Sequence, residues 1–170
     1  RGFFKQDVGA RMRWAWLDRI DEMHIGERAV GAKSFPADSF FFRDHFPGFP
    51  VVPGVLLLEA MAQLSGKLIG YTVRVERGDW PFPILSMAEK VKFRKFVLPE
   101  QEVTFESTFL ALRDESAQMR VRTRFDGRVM AQAEQTFVFN AVPLESQEES
   151  ERVERIEREA LRSLWAGCPD

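Results

Sequence analysis

The stretch VLLLEAMAQL lies in a longer run, Val55 to Gly70, that contains few helix breakers. Pro53 and Gly54 end a turn-rich loop just before it, and proline suits the first turn of a helix. The run is apolar nearly all round, which is the composition of a helix that is buried on most of its sides. We therefore predict a central helix with a sheet wrapped around it.

Segments rich in β-branched and aromatic residues, with turn signals between them, predict strands on both sides of this helix. Trp16 to Met23 and Arg28 to Phe35 are joined through IGE, as in a hairpin. After the helix, the predicted strands are Leu85 to Phe96, Glu102 to Leu112, Gln118 to Phe125 and Val129 to Phe139. Asp126-Gly127 is a hairpin turn signal, so we predict an antiparallel meander for the second half of the chain. The absence of βαβ alternation argues against a doubly wound nucleotide-binding fold.

The composition becomes highly charged near the C-terminal end, so we divide the chain into a domain of residues 1–143 and a charged helical extension of residues 144–170. Three successive i, i+4 pairs place glutamate on the favourable N-terminal side of arginine: Glu148 and Arg152, Glu151 and Arg155, Glu154 and Arg158. A thin apolar stripe makes this helix amphipathic: Val153, Ile156, Ala160 and Leu164. It could dock on its own subunit or bind a partner.

Composition limits the classes of function. The formal charge of -2 gives no global signal for nucleic acid. The single cysteine, Cys168, allows no intrachain disulfide and no cysteine-rich metal site, and suits a reducing cytoplasm. The apolar runs are short and interrupted by charge, so we expect neither a membrane span nor a secretory signal, and we expect a cytoplasmic protein.

Glu59 is the residue that the central helix does not explain. A carboxylate on a buried helix costs several kcal/mol unless it is paired, solvated or protonated. Glu59 could cap a backbone donor or pair with an arginine from a neighbouring strand. It could instead line an apolar cavity that keeps it protonated and able to give a proton.

His45 offers a chemical partner for Glu59, because imidazole readily accepts a proton near neutral pH. The sequence HFPGFPVVPG contains three prolines and two glycines in ten residues, which predicts a stiff loop that delivers His45 near the helix N-terminus. That N-terminus offers unpaired N–H groups and the positive end of the helix dipole. A base, an acid and oxyanion donors could therefore share one pocket.

HFPGFPVVPGVLLLEAMAQ closely resembles the signature of the bacterial 3-hydroxyacyl-acyl carrier protein dehydratases, which have the hot dog fold. WLDRIDEMHIGERAVGAKSF is similar to the first hairpin of that family, and AEKVKFRKFVLP to its strand after the helix. The resemblance covers roughly Arg13 to Phe139. It implies an α+β hot dog fold, an antiparallel sheet wrapped around a long central helix, here with an extra C-terminal helix.

The resemblance also implies a mechanism. His45 would remove the C2 proton of a (3R)-hydroxyacyl thioester, Glu59 would hold and protonate the leaving C3 hydroxyl, and the backbone N–H of Gly54 would bind the thioester oxygen. No metal or cofactor is implied beyond the phosphopantetheine of the acyl carrier protein that carries the substrate. The family further implies a homodimer, or a trimer of dimers, in which the two catalytic side chains come from different subunits.

A basic segment follows the helix. Lys90, Lys92 and Arg94 alternate with Val91 and Phe93, which predicts a strand with one basic and one apolar face. The basic face could be an ordinary solvated surface. It could also dock the acidic carrier protein or the phosphate of its phosphopantetheine.

Two other functions stay open at this stage. A hot dog thioesterase would use a carboxylate such as Glu59 to attack the thioester or activate water. A non-catalytic module that binds the acyl carrier protein would fit Asp44, which stands where many family members have glycine, and the added C-terminal helix.

Overall fold

The computed structural model describes residues 14–141 and 146–169, in which an antiparallel sheet packs against one long helix. The strands are β1 (Arg19–His24), β2 (Arg28–Ser34), β3 (Ile84–Phe93), β4 (Glu102–Leu112), β5 (Ser116–Phe125) and β6 (Arg128–Val138). The helices are α1 (Gly54–Arg77) and α2 (Gln147–Leu164), with a short 3-10 helix at Phe40–Arg43. The strands lie in the order β1-β2-β4-β5-β6-β3, so that β1 and β3 form the two edges. The predicted α+β hot dog architecture is confirmed.

The core lies between one face of the sheet and α1. Alternate residues of each central strand point inward, as the two-residue period of a strand requires. Phe105 on β4, Val121 on β5 and Ala133 on β6 are buried in one cluster with Met61 and Leu64 of α1. Each large side chain buried here stabilises the fold by about 2 kcal/mol.

Both predicted hairpin turns are confirmed. β1 pairs antiparallel with β2 around a turn at Ile25, Gly26 and Glu27, in which Gly26 has a φ of 71°. Asp126 and Gly127 connect β5 and β6 with φ angles of 48° and 69°. Positive φ at both central residues is the geometry that asparagine, aspartate and glycine favour in two-residue hairpin turns.

Helix α1 is longer than predicted. It continues past Gly70 to Arg77 and ends at Gly78, which adopts the left-handed conformation with a φ of 87°. Gly70 lies inside the helix, where a side chain would collide with a neighbour. A Cβ at this position would lie 2.6 Å from the Trp80 ring. The glycine lets Trp80 pack directly on the helix.

Helix α2 docks on the outer side of α1. Lys67 Nζ lies 2.6 Å from Glu157 Oε2, and the side chain of Lys67 is only 10% exposed. Trp165, which follows α2, meets Tyr71 edge to face at 5.5 Å, and burial raises the pKa of Tyr71. Leu161 is buried in the main core cluster. The helix is amphipathic, as predicted, and the predicted boundary at 143/144 lies outside the described residues.

Strand β3 departs from the regular basic strand that was predicted. The β3–β6 register shifts between Glu89 and Lys92, and Lys90 has a φ of 52°. The strand ends at Phe93, so Arg94 lies beyond it. The expected simple alternation of basic and apolar faces is therefore not observed.

Candidate active site

His45 sits in a loop whose backbone is anchored on both sides. The preceding 3-10 helix buries Phe41 and Phe42, and the His45 N–H donates to the Phe41 carbonyl at 3.0 Å. The His45 carbonyl accepts from Val51 N–H at 2.9 Å, and the Val52 N–H donates to Val97 at 2.8 Å. The proline-rich loop is thus held against the core just before α1 begins.

The ring of His45 has a defined tautomer. Its Nδ1 lies 3.1 Å from the carbonyl oxygen of Val51. A carbonyl can only accept a hydrogen bond, so Nδ1 carries the hydrogen and Nε2 of the neutral ring keeps its lone pair. The ring also stacks on Phe46 with centroids 4.2 Å apart. His45 is therefore arranged to accept a proton at Nε2.

Glu59 is half-buried on α1 and bonded to two N–H donors. The indole Nε1 of Trp14 lies 3.0 Å from its Oε1, and Nε2 of Gln63 lies 2.9 Å from the same oxygen. Among residues 14–141 and 146–169 its hydrogen-bond partners include neither an arginine nor a backbone donor, which were the structural roles considered from the sequence. Both of these hydrogen bonds are accepted by Oε1, so Oε2 is the oxygen that can hold and transfer a proton.

Gln63 organises this corner of the site. Its amide donates to the Trp14 carbonyl at 3.0 Å and accepts from the Trp16 N–H at 2.9 Å, while also bonding Glu59. One side chain thus fastens the segment before β1 to the helix that carries Glu59. Gln63 was not among the site residues predicted from the sequence, although its i, i+4 spacing from Glu59 was a usable signal.

Gly54 is the first residue of α1, so its N–H has no acceptor within the helix. The ring of Phe93 covers it so closely that a Cβ at Gly54 would lie 2.6 Å from Phe93 Cε1. A glycine is required at this position by the approach of Phe93. The positive end of the helix dipole lies at the same point, which suits an oxygen that gains negative charge.

His45 and Glu59 are not joined within one chain. In residues 14–141 and 146–169, no hydrogen bond or ion pair connects the two side chains, and each has its own partners. Among those residues there is also no group of three or more histidine, cysteine or acidic side chains that could hold a metal ion.

The three basic residues considered for carrier docking differ in their surroundings. Lys90 pairs with Glu134 at 2.8 Å, and this bond holds the pKa of Glu134 below its usual value. Arg94 Nε donates to Gln132 at 3.2 Å. Lys92 is exposed, and none of the ion pairs among the described residues includes it.

The sequence matches known proteins over most of its length. The family model for the FabA-like domain matches residues 10–140. A protein from Hydrogenobaculum sp. named 3-hydroxyacyl-acyl-carrier-protein dehydratase FabZ is 33% identical over 117 residues, which are 69% of this chain and 78% of the relative. A protein of the same name from Magnetococcus marinus is 39% identical over 119 residues, 69% of this chain and 76% of the relative. The chain belongs to the FabA-like family of 3-hydroxyacyl-acyl-carrier-protein dehydratases.

Solved structures with the same fold are more distant in sequence. One is a hypothetical thioesterase with coenzyme A from Streptococcus pneumoniae, with a TM-score of 0.56, 15% identity, and coverage of 72% of this chain and 87% of the other. Another is the dehydratase heterocomplex ApeI:P from Xenorhabdus doucetiae, with a TM-score of 0.63, 12% identity, and coverage of 85% and 91%. At such identities the likeness concerns the fold alone.

No helix in the described ranges is both long and apolar enough to cross a membrane.

Proposed function

We propose that the protein is a 3-hydroxyacyl-acyl-carrier-protein dehydratase, which removes water from a (3R)-hydroxyacyl thioester and leaves a trans-2-enoyl thioester. Fatty-acid synthesis, or a related polyketide pathway, would use this step. Family membership supports the proposal. The observation that carries it is the bond from His45 Nδ1 to the Val51 carbonyl, which leaves Nε2 as a base on the loop that leads into α1.

In the proposed mechanism, His45 Nε2 takes the proton from C2 and the C2 electrons move toward the thioester carbonyl. The N–H of Gly54 and the dipole of α1 stabilise the negative charge that develops on the thioester oxygen. Glu59 then gives a proton to the C3 hydroxyl, the C3–O bond breaks, and water leaves as the C2–C3 double bond forms. The groups need no metal or other cofactor, because phosphopantetheine only carries the substrate.

The site is completed by a second copy of the chain in this proposal, which pairs His45 of one subunit with Glu59 of its partner. The outer edge of β3 supports this arrangement. Leu85, Met87 and Phe93 are apolar residues on this edge strand, and each is exposed by 38% or more. Exposed apolar strand edges favour pairing with another chain. A homodimer is the smallest such assembly, and a trimer of dimers stays an alternative.

The acyl carrier protein is the proposed source of the substrate. Acyl carrier proteins are acidic, so an exposed cation near the site could steer their approach. Lys92 fits this role better than Lys90 or Arg94, because those two already bond to Glu134 and Gln132. The cytoplasmic location expected from the sequence stays a prediction.

The test uses the purified chain with 3-hydroxyacyl thioesters of several chain lengths on acyl carrier protein. Dehydration produces enoyl absorbance, whereas a thioesterase would release free thiol. A non-catalytic module would bind the carrier without turnover. In that case replacing the exposed Asp44 by glycine would not produce activity. Enoyl formation by the wild type supports the proposal, and either of the other results contradicts it.

Glu59→Gln tests the acid role, because glutamine keeps the volume and removes the transferable proton. We expect kcat to fall about a thousandfold with an unchanged melting temperature. Glu76→Gln is the matched control, since it makes the same change at an exposed position of α1. Full activity in Glu59→Gln would exclude Glu59 as the proton donor.

A further inference from the structure

Two N–H donors converge on one oxygen of Glu59. The indole of Trp14 and the amide of Gln63 both bond Oε1, at 3.0 and 2.9 Å. An oxygen that accepts two N–H bonds has no room for a proton of its own. When Glu59 is protonated, the proton therefore lies on Oε2. The two oxygens of the carboxyl group are made unequal by their surroundings.

We propose that Trp14 is a positioning residue for the dehydration, a role that rests on the proposed function of Glu59. Its indole N–H, with Gln63, fixes the carboxyl group so that Oε2 presents the transferable proton. After the proton has gone to the leaving hydroxyl, the same N–H stabilises the remaining carboxylate, since hydrogen bonds to an ionised acceptor are stronger than neutral ones. Trp14 acts through Glu59 and does not itself exchange a proton.

The position of Trp14 is not explained by burial. Its side chain is 58% exposed, whereas tryptophan normally buries most of its large surface. It is held by directed contacts instead: its carbonyl accepts from Gln63, and its ring meets Trp16 edge to face at 5.2 Å. Trp16 in turn is buried against Phe35 and Phe41. The core thus supports an exposed indole whose N–H points at Glu59.

Trp80 provides a matched control outside the site. Its ring packs on α1 at Gly70, and among the described residues no hydrogen bond joins it to Glu59 or Gln63. Trp14→Phe and Trp80→Phe therefore make the same chemical change, but only the first removes a hydrogen bond to Glu59. The two variants separate loss of the N–H bond from loss of an indole ring.

In the assay that establishes dehydration by the wild type, we expect Trp14→Phe to lower kcat about tenfold, because a bond to an ionised group is lost. KM and melting temperature should stay unchanged, since the exposed ring is replaced by another aromatic ring. Trp80→Phe should keep the wild-type kcat. Equal kcat values for the two variants in an active enzyme would overturn the role of Trp14 and leave the function intact. An inactive wild type would overturn both.

A second measurement does not depend on activity. With ¹⁵N-labelled tryptophan, the indole N–H resonances are assigned from single Trp→Phe variants. We expect Glu59→Ala to move the Trp14 resonance upfield, because the proton loses its carboxylate acceptor, and to leave that of Trp80 in place. A Trp14 resonance that does not respond to Glu59→Ala would show that the bond is absent in solution and would overturn the inference.

Discussion

The two edges of the sheet differ in what they offer to another chain. At the β1 edge, Arg19 bonds both Asp21 and Glu102, and Arg28 pairs with Glu22. The bond from Arg19 holds the pKa of Glu102 below its usual value and raises that of the guanidinium. Charge at an edge strand discourages pairing with a further strand. The β1 edge is therefore protected against pairing with a strand of another chain.

The β3 edge has the opposite character. Leu85, Met87 and Phe93 are exposed, and Phe93 covers the helix N-terminus at Gly54. The comparison indicates that one edge is kept from pairing while the other is available to a second copy. It also links assembly to chemistry, because the available edge lies beside a residue proposed to bind the thioester oxygen.

Met87→Lys should have the largest effect on assembly, since both subunits would carry a charge on the apolar β3 edge of the proposed interface, and charge at an edge strand discourages pairing. We expect a monomer whose turnover is lower by about a hundredfold or more, because every site loses one group. Sedimentation and turnover are measured together. Ile25→Lys, an exposed position beside β1, is the control and should change neither. A dimeric, active Met87→Lys would exclude this edge as the interface.

Mixed dimers sharpen the same comparison. His45→Ala and Glu59→Ala homodimers should both be inactive, but a mixed dimer has one site with both groups intact. Random re-association of equal amounts makes about half the dimers mixed, so about a quarter of wild-type activity should return. Each mutant alone, carried through the same reversible unfolding, is the control. Activity that stays at the level of the separate mutants would place both groups in one chain.

Lys92→Glu should have a smaller effect, limited to the carrier protein. We expect kcat/KM for carrier-protein substrates to fall about fivefold at low salt and less at high salt, with short pantetheine substrates unaffected. Arg162→Glu makes the same change in charge on an exposed face of α2 and should be neutral. Equal losses on both types of substrate would show that Lys92 acts through the fold or the active site and not through carrier docking.

Arg19→Met should have the smallest effect, a slight loss of stability without a change in assembly. Because Arg19 lowers the pKa of Glu102, its contribution is present above the unfolded-state pKa and is lost as pH falls through the lowered folded-state value. The variant should therefore be less stable than wild type at neutral pH and equal to it in strong acid. Denaturant unfolding at several pH values measures this. A pH-independent difference would show that Arg19 acts by packing.

The sequence predicted those parts of the fold that local chemistry determines. The hairpin at Gly26 and the turn at Asp126-Gly127 follow from residues that accept positive φ. Helix α1 extends beyond the run Val55 to Gly70 that was named from the sequence, and only the approach of Trp80 explains the glycine inside it. The register shift in β3 could not be predicted from the sequence, because Lys90 is not a residue that favours positive φ.

For the site, the sequence motif identified His45, Glu59 and Gly54, whose roles stay predictions. The partners of these residues were harder to find. Gln63 lies one helical turn from Glu59 and could have been proposed from spacing alone. Trp14 is separated from Glu59 by 45 residues, so only the packing of the segment before β1 against α1 brings them together.

The docking of α2 has a consequence for which pieces of the protein can exist alone. The FabA-like match ends at residue 140, so a chain cut there would resemble a complete family domain. Such a fragment would lose the ion pair between Lys67 and Glu157 and would leave the Lys67 side chain open to solvent. It would also uncover the part of the core that Leu161 fills. What resembles an appendage in the sequence therefore belongs to the unit that we expect to fold cooperatively.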